Sequence, residues 1–371
     1  MGSQPSDTAS AGNAFASTSI FLPASIHTDE LLRGDSYAHY TPVPSILRSD
    51  DSTISSTPCV LGIDEAGRGP VLGPMVYSAF YLPVTHEKPL LASAHHFNDS
   101  KQLTLAYRNT LMRLLGNPST DLHNQCGWAI KSLSARDISS SMLRPNQYNL
   151  NSQAYDATIE IIKGVINQGV NITEIYVDTV GRPETYQKRL SLIFPTIKVT
   201  VEKKADAKFP CVSAASVVAK VTRDISLEVL WGGVQAGMAA SALQHQDENT
   251  TMTPAEEEET TTETVAAWGS GYPSDGRCTS WLKSSMDPLF GWGPECRFSW
   301  GTAKDMLEPP NKTSTSTKVD WQLEDGDDES SRVTQYFSVG GMGVAGAGGT
   351  VATKADVLRN WFGGGVGKEV F

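Results

Sequence analysis

The sequence predicts an α/β domain built on a mixed sheet, and three observations carry that reading. From Gly127 onward, apolar runs of strand length alternate with amphipathic stretches of helix length, the order that builds parallel crossover units. Two earlier apolar runs, Cys59 to Ile63 and Met75 to Leu82, are joined by a glycine-rich turn too short for a crossover, so they pair antiparallel. Acidic residues stand where several of these runs end.

In chain order, residues 1–57 are rich in Ser, Thr, Pro, Ala and Asp and show no sustained period. They are expected to be a disordered extension, with local docking open only to Ile20-Phe21-Leu22 and Leu31-Leu32. The body runs over 58–307. After the two antiparallel strands, Asp99-Ser100-Lys101 precedes a helix starting near Thr104, with Leu105, Leu111, Met112 and Leu115 on one face and Gly116 and Pro118 as its stop. Gly127 to Ser132 reads as the third strand. Asn151 to Gln168 is the clearest amphipathic helix, because Ala154, Thr158, Ile161, Ile162 and Val165 recur at spacings of three and four before the capping Gly169. Glu174 to Asp178 is a short strand, Glu184 to Ser191 a helix, Thr196 to Glu202 a strand and Val212 to Leu230 a helix.

Residues 232–267 interrupt this pattern with small, polar and acidic residues, and are expected to form a disordered insertion. Structure resumes at Gly269, with a helix from Gly276 to Met286 and an aromatic-rich cap around Phe290, Trp292, Phe298 and Trp300. Residues 308–371 read as a disordered tail. It holds an acidic run and, beyond Ser338, a glycine-rich stretch.

Composition is globular, at 39% hydrophobic and 19% charged. The net charge of −11 argues against a general nucleic-acid coat, but it is unevenly placed. Seven acids in 232–267 and six in 320–329, with no Lys or Arg among them, leave the rest of the chain near +2. A body of that balance is compatible with nucleic acid. Five scattered cysteines with no C-x-x-C pair indicate neither a zinc site nor a disulfide framework, and fit a reducing intracellular compartment. The first residues lack a basic segment followed by a long apolar core, and no apolar run is long enough for a bilayer, so no membrane role is expected.

The chemistry gathers in Leu61-Gly62-Ile63-Asp64-Glu65-Ala66-Gly67-Arg68-Gly69-Pro70. Strand alternation sends Asp64 and Glu65 in different directions. Gly67 and Gly69 let a ligand approach the main chain, and Arg68 adds a fork suited to phosphate. Asp178 and Asp206 also fall at a strand end or a strand-to-helix turn, where ligands collect in open α/β sheets. For any one of the four acids, a turn or cap role is the commoner one, but all four together need several coincidences. Clustered carboxylates are unfavourable without a cation, and oxygen-only donors suit Mg²⁺ or Mn²⁺. Two such ions would serve phosphodiester cleavage.

These residues carry a resemblance. Gly62 to Gly69, Asp99-Ser100-Lys101, Val177-Asp178-Thr179-Val180-Gly181, Lys204-Ala205-Asp206-Ala207 and Gly269-Ser270-Gly271-Tyr272-Pro273 resemble, in order, the motifs of the type 2 ribonuclease H family. Val212-Ser213-Ala214-Ala215-Ser216 and Arg297-Phe298-Ser299-Trp300 resemble its eukaryotic catalytic subunit. The resemblance implies a ribonuclease H-like mixed five-stranded sheet flanked by helices, with a helical C-terminal cap. It implies Asp64, Glu65, Asp178 and Asp206 as catalytic, metal-holding carboxylates for two divalent ions, Mg²⁺ or Mn²⁺. Gly67, Arg68 and Gly69 would grip the ribonucleotide, Tyr272 would pack on the sugar at the RNA–DNA junction, and Lys101 would hold a phosphate.

The implied substrates are RNA–DNA hybrids and duplex DNA carrying single ribonucleotides. They would be cut on the 5′ side of the ribonucleotide to leave 3′-hydroxyl and 5′-phosphate ends, in ribonucleotide repair and in RNA primer removal during replication in the nucleus. The implied partners are two non-catalytic subunits of a heterotrimer, docked on the cap and the segment after it, although Trp281, Trp292 and Trp300 read equally well as core. Val333-Thr334-Gln335-Tyr336-Phe337 and Leu358-Arg359-Asn360-Trp361-Phe362 resemble part of a sliding-clamp-binding peptide but lack its glutamine, at Ser330 and Ala355. Another nuclease of the same fold acting on branched DNA, and a catalytically silent scaffold, are the alternatives.

Overall fold

The computed structural model describes residues 21–48, 56–97, 103–144, 146, 148–179, 181–244 and 268–308, with side chains described up to 239 in the last helix before the gap. The strands are β1 (Tyr37–Tyr40), β2 (Cys59–Ala66), β3 (Met75–Pro83), β4 (Gly127–Leu133), β5 (Ile172–Asp178) and β6 (Lys198–Glu202). They form one sheet in the order β1-β4-β3-β2-β5-β6. As the short glycine turn requires, β2 and β3 pair antiparallel, with Asp64 opposite Ser78. The later strands join in parallel, β2 beside β5 and β5 beside β6.

Helices cover both faces. They are α1 (Thr28–Arg33), α2 (Leu105–Gly116), α3 (Asp121–Gln125), α4 (Ala135–Met142), α5 (Leu150–Asn167), α6 (Pro183–Ile193), α7 (Pro210–Gln244), α8 (Gly276–Ser284) and α9 (Gly301–Leu307). On one face, Val60, Val76, Phe80 and Ile130 pack against Val212, Ala215 and Val218 of α7 and Leu111 and Leu115 of α2. On the other, Leu61, Ile63, Tyr77 and Ala79 pack against Ile161, Ile162 and Val165 of α5 and Leu190 of α6. Alternate residues of each strand thus face opposite layers, as strand geometry demands. Gly62 explains how closely α7 approaches. A Cβ there would lie 2.3 Å from the carbonyl carbon of Cys211, so only glycine lets the start of α7 lie on β2.

Three expectations need correction. The sheet has six strands rather than five, because residues 21–48 form α1, β1 and a short 3₁₀ turn instead of a disordered extension. Too short to show a period, β1 is held by pairing with β4 and by burial of Tyr37, while Leu31 and Leu47 anchor its flanks. The expected insertion 232–267 begins as helix, since α7 continues to Gln244. Ala236, Met238, Ala239, Ala240 and Leu243 are strong helix formers, and the acids begin only at Asp247. The cap is helical as expected and gains α9. Residues 1–20, 245–267 and the tail from 309, with both clamp-like segments, lie outside the described residues.

Candidate active site

The C-terminal ends of β2 and β5 lie side by side, with Ile63 registered against Val177, so Asp64, Glu65 and Asp178 meet at one sheet edge. The pleat sends Glu65 to the α5–α6 face, where it lines a cavity of about 330 Å³ together with Ile63, Tyr77 and Asp178. Asp64 is buried against α7, where Ser216 offers it a hydrogen bond, and its Oδ1 accepts from the Glu65 amide at 2.8 Å. Asp178 Oδ1 accepts from the Ala205 amide at 3.0 Å. That bond brings in the 3₁₀ turn Ala205–Ala207, whose buried Asp206 follows Lys204 at φ +57°. A lysine held in the left-handed region is a local strain of the kind found at functional sites.

Electrostatics confirm the crowding. Burial, then the Glu65 charge, pushes the Asp64 carboxyl well above the usual carboxylate range. Burial raises Glu65 to about 7, with Arg68 opposing and Asp178 adding to the rise. Among the described residues, no three Asp, Glu, His or Cys side chains close to metal-holding distance. The four acids therefore share an edge without forming a finished cage. The pleat divides Asp64 from Glu65, and like charges have no reason to converge without a cation. Their all-oxygen chemistry nevertheless fits a hard divalent ion, as does the raised proton affinity of Asp64 and Glu65.

Beyond β2 the chain turns through Gly67, at φ +82°, with no room for a side chain because a Cβ would sit 2.6 Å from the Pro74 carbonyl oxygen. Arg297 holds this turn. Its guanidinium is fully buried and donates to the carbonyls of Gly67 (2.6 Å), Gly73 (2.9 Å) and Arg68 (3.3 Å). Burial, with Arg223 nearby, lowers its pKa to about 9. Trp300 Nε1 donates to the Gly69 carbonyl at 3.0 Å. In a planar trans peptide the N–H points opposite to the C=O. With the carbonyls of Gly67 and Arg68 turned into the cap, the amides of Arg68 and Gly69 point away from it.

Tyr272 lies beside this turn, 39% exposed, with a ring carbon 3.1 Å from where a Cβ on Gly69 would be. Arg223 stands under it, 5.5 Å from the ring centroid, and donates to the Ser270 carbonyl at 2.6 Å. The Arg68 side chain donates to Asn151 at the start of α5. The structure thus brings Asp64, Glu65, Asp178, Asp206, Gly67, Arg68, Gly69 and Tyr272 to one end of the sheet, while Lys101 lies outside the described residues. Sequence reasoning missed Arg223 and the clamping role of Arg297 and Trp300. The stretch Arg297 to Trp300 stood out only as a family mark, and nothing in its spacing says what it grips.

The model of the family described as Ribonuclease HII matches residues 61–252. The chain is 49% identical over 354 residues to the ribonuclease H2 A subunit of Neurospora crassa, covering 95% of this chain and 97% of that one. It is 44% identical over 311 residues to the corresponding protein of Schizosaccharomyces pombe, covering 83% of each. The solved structure of ribonuclease H2 from Pyrococcus horikoshii OT3 is 27% identical and overlays with a TM-score of 0.47, covering 67% of this chain and 96% of that one. A match of this extent, running through the strand that bears Asp64 and Glu65, leaves one assignment: the chain belongs to the ribonuclease HII family of ribonuclease H hydrolases, with the ribonuclease H2 A subunits as its relatives.

Proposed function

We propose that this ribonuclease H is the catalytic subunit of a nuclear endoribonuclease. It cuts the RNA strand of RNA–DNA hybrids and the 5′ side of single ribonucleotides in duplex DNA, leaving 3′-hydroxyl and 5′-phosphate ends, in ribonucleotide repair and RNA primer removal. One observation carries this reading: acids at the ends of β2 and β5 sit beside a glycine turn whose amides face outward next to Tyr272. The 2′-hydroxyl is what separates RNA from DNA at a site, and reading it needs hydrogen-bonding groups close to the sugar. The Arg68 and Gly69 amides supply donors, and the absence of a side chain at Gly69 lets the Tyr272 ring pack close to them, where it can bear on the sugar.

Asp64, Glu65, Asp178 and Asp206 would hold divalent ions, Mg²⁺ or Mn²⁺, which when bound supply Lewis acidity for the attack of water and neutralise charge on the departing oxygen. The protein's own part is positioning. Arg297 and Trp300 fix the turn, Arg68 leans on Asn151, and packing against α7 holds Asp64 out of bulk water. Two non-catalytic subunits complete the enzyme, docking on the cap. Trp281 and Trp292 belong to the cap's core, while Leu289 and Phe290 stand out at 64% and 80% exposure. A sliding-clamp contact through the tail is a further proposal, tested by titrating tail peptides with the clamp.

The decisive assay is a duplex with one ribonucleotide, incubated with Mg²⁺ and the companion subunits. Incision on the 5′ side that disappears when the ribose is replaced by deoxyribose is the expected result. Cutting of an all-DNA branched duplex instead would replace this reading with a junction nuclease.

A further inference from the structure

The cavity beside Glu65 and Asp178 has a second wall that the reaction does not explain. Arg68, Arg182 and Arg189 all line it, together with Asn151, Thr158 and Thr185. Among the described residues none of these three guanidinium groups forms a salt bridge. Arg33, Arg136, Arg223 and Arg277 each have a carboxylate partner. Glu65 and Asp178 line the same cavity, and the Arg68 charge already acts on Glu65, but three guanidinium groups outnumber two carboxylates there, so the arrangement favours a further anion between them.

The fold also pre-positions them. The Arg189 guanidinium is stacked 3.8 Å from the Tyr155 ring centroid, and Arg68 is tethered to Asn151. Arg182 is the residue before α6, and its side chain gives that helix end no capping hydrogen bond. Gly181, Arg182 and Thr185 at the start of α6 also line the cavity, so the helix dipole favours negative charge there. At about 330 Å³ the cavity has room for roughly ten waters.

Resting on the nuclease reading above, we infer that the arginine wall of this cavity is a phosphate subsite, separate from the carboxylates that act on the scissile bond. Its ligand is a phosphate of the cut strand. That is either the diester one nucleotide away from the cut or the monoester end that cutting releases. Planar, charged forks suit either, and neither needs the carboxylate edge.

The test uses the full chain and a labelled duplex with one ribonucleotide, with divalent ions chelated so that binding is read without cutting. An uncharged methylphosphonate is walked along the cut strand. For an internal phosphate, one position weakens wild-type binding several-fold and lowers the salt slope by about 0.9. Arg182→Gln and Arg189→Gln would lose as much, and at that position the methylphosphonate would add nothing further to their loss. In a second arm, a nucleoside 5′-monophosphate competes with the duplex. Competition that is strong for wild type and lost in both variants, with a silent methylphosphonate walk, assigns the subsite to the released end. Absence of coupling at every position, together with equal competition in wild type and variants, overturns the proposal. Arg182 forms no hydrogen bond or ion pair through its side chain among the described residues, so Arg182→Gln keeps the test decisive if Arg189→Gln melts early, and Arg189→Lys, which keeps the charge but not the fork, should lose less affinity than Arg189→Gln. Wild-type binding or cutting that ignores the ribose would instead refute the nuclease reading itself.

Discussion

At the scale of single residues, Asp64 and Glu65 are carboxylates held where burial opposes their charge. Glu65 shows this most directly. Its proton affinity in the folded chain is raised to about 7 from an ordinary 4.5, chiefly by burial. A carboxyl raised on folding gives stability that is complete below about 4.5 and is lost as pH rises through 7, at most about 3 kcal/mol. In metal-free protein Glu65→Gln should therefore raise the melting temperature at pH 8 by several degrees and leave it nearly unchanged at pH 4.5. A wild-type-like difference at both pH values would contradict that account. Activity should move the other way. Asp64→Asn or Asp178→Asn should cut turnover by at least ~100-fold, the scale of losing a main electrostatic stabiliser, while duplex affinity in chelator stays within about twofold. The aspartates at strand ends were legible in the sequence because strand, turn and acid coincide at each. The glycine turn was legible too, but not its orientation, which depends on an arginine more than two hundred positions away.

At the scale of elements, what matters is how the cap fixes the turn. Gly73 and Val71 exchange backbone hydrogen bonds with Glu295 and Arg297, and Gly271 accepts from Val71 and Leu72, so the turn is stitched to the cap on both sides. The Arg297 guanidinium then closes the inside of the turn. Replacing it with Met leaves three buried carbonyls without that donor, a loss of about 3 kcal/mol or more. Arg297→Met is thus expected to melt markedly lower. Arg297→Lys, one point charge in place of a fork, should fold better yet discriminate ribose from deoxyribose at the cut site less well than wild type. A lysine variant with intact discrimination would show that the fork's geometry is irrelevant to the turn. The regular elements here were readable from periodicity, most clearly α5, whose apolar stripe faces the sheet. The long α7 was read too short because a low-charge, alanine-rich run looks the same in a linker and in a helix until its neighbours are known.

At the scale of the whole molecule, the sheet is closed at one edge by a segment that composition alone assigned to disorder. Tyr37 of β1 is buried, its hydroxyl donates to the Ser25 carbonyl, and the His27 ring stacks on it at 4.5 Å. His39 lies between His27, with ring nitrogens 3.1 Å apart, and Trp128 on β4, with ring centroids 5.3 Å apart. A four-residue strand this polar carries no sequence signal for burial, because its partners come from β4 and from the chain ahead of α1. Burial, reinforced by His27, pulls the His39 imidazole down to about 4. The sign follows directly. The unfolded chain takes up a proton near 6.5 that the folded chain refuses, so stability is complete above 6.5 and falls as pH drops toward 4, by about 1–2 kcal/mol once solvent screening of this half-buried ring is allowed for. His39→Phe keeps an aromatic ring against Trp128 and removes the titration. Compared with wild type, it should melt at a similar temperature at pH 7.5 and several degrees higher at pH 5, where Glu65 is far less ionised in both. Loss of β1 docking should precede global unfolding in acid, seen as early exchange of the amides of Ala38 and His39. If His39→Phe follows the wild-type acid profile, the edge strand is not held by a neutral histidine, and the acid sensitivity of the fold lies with the carboxylates.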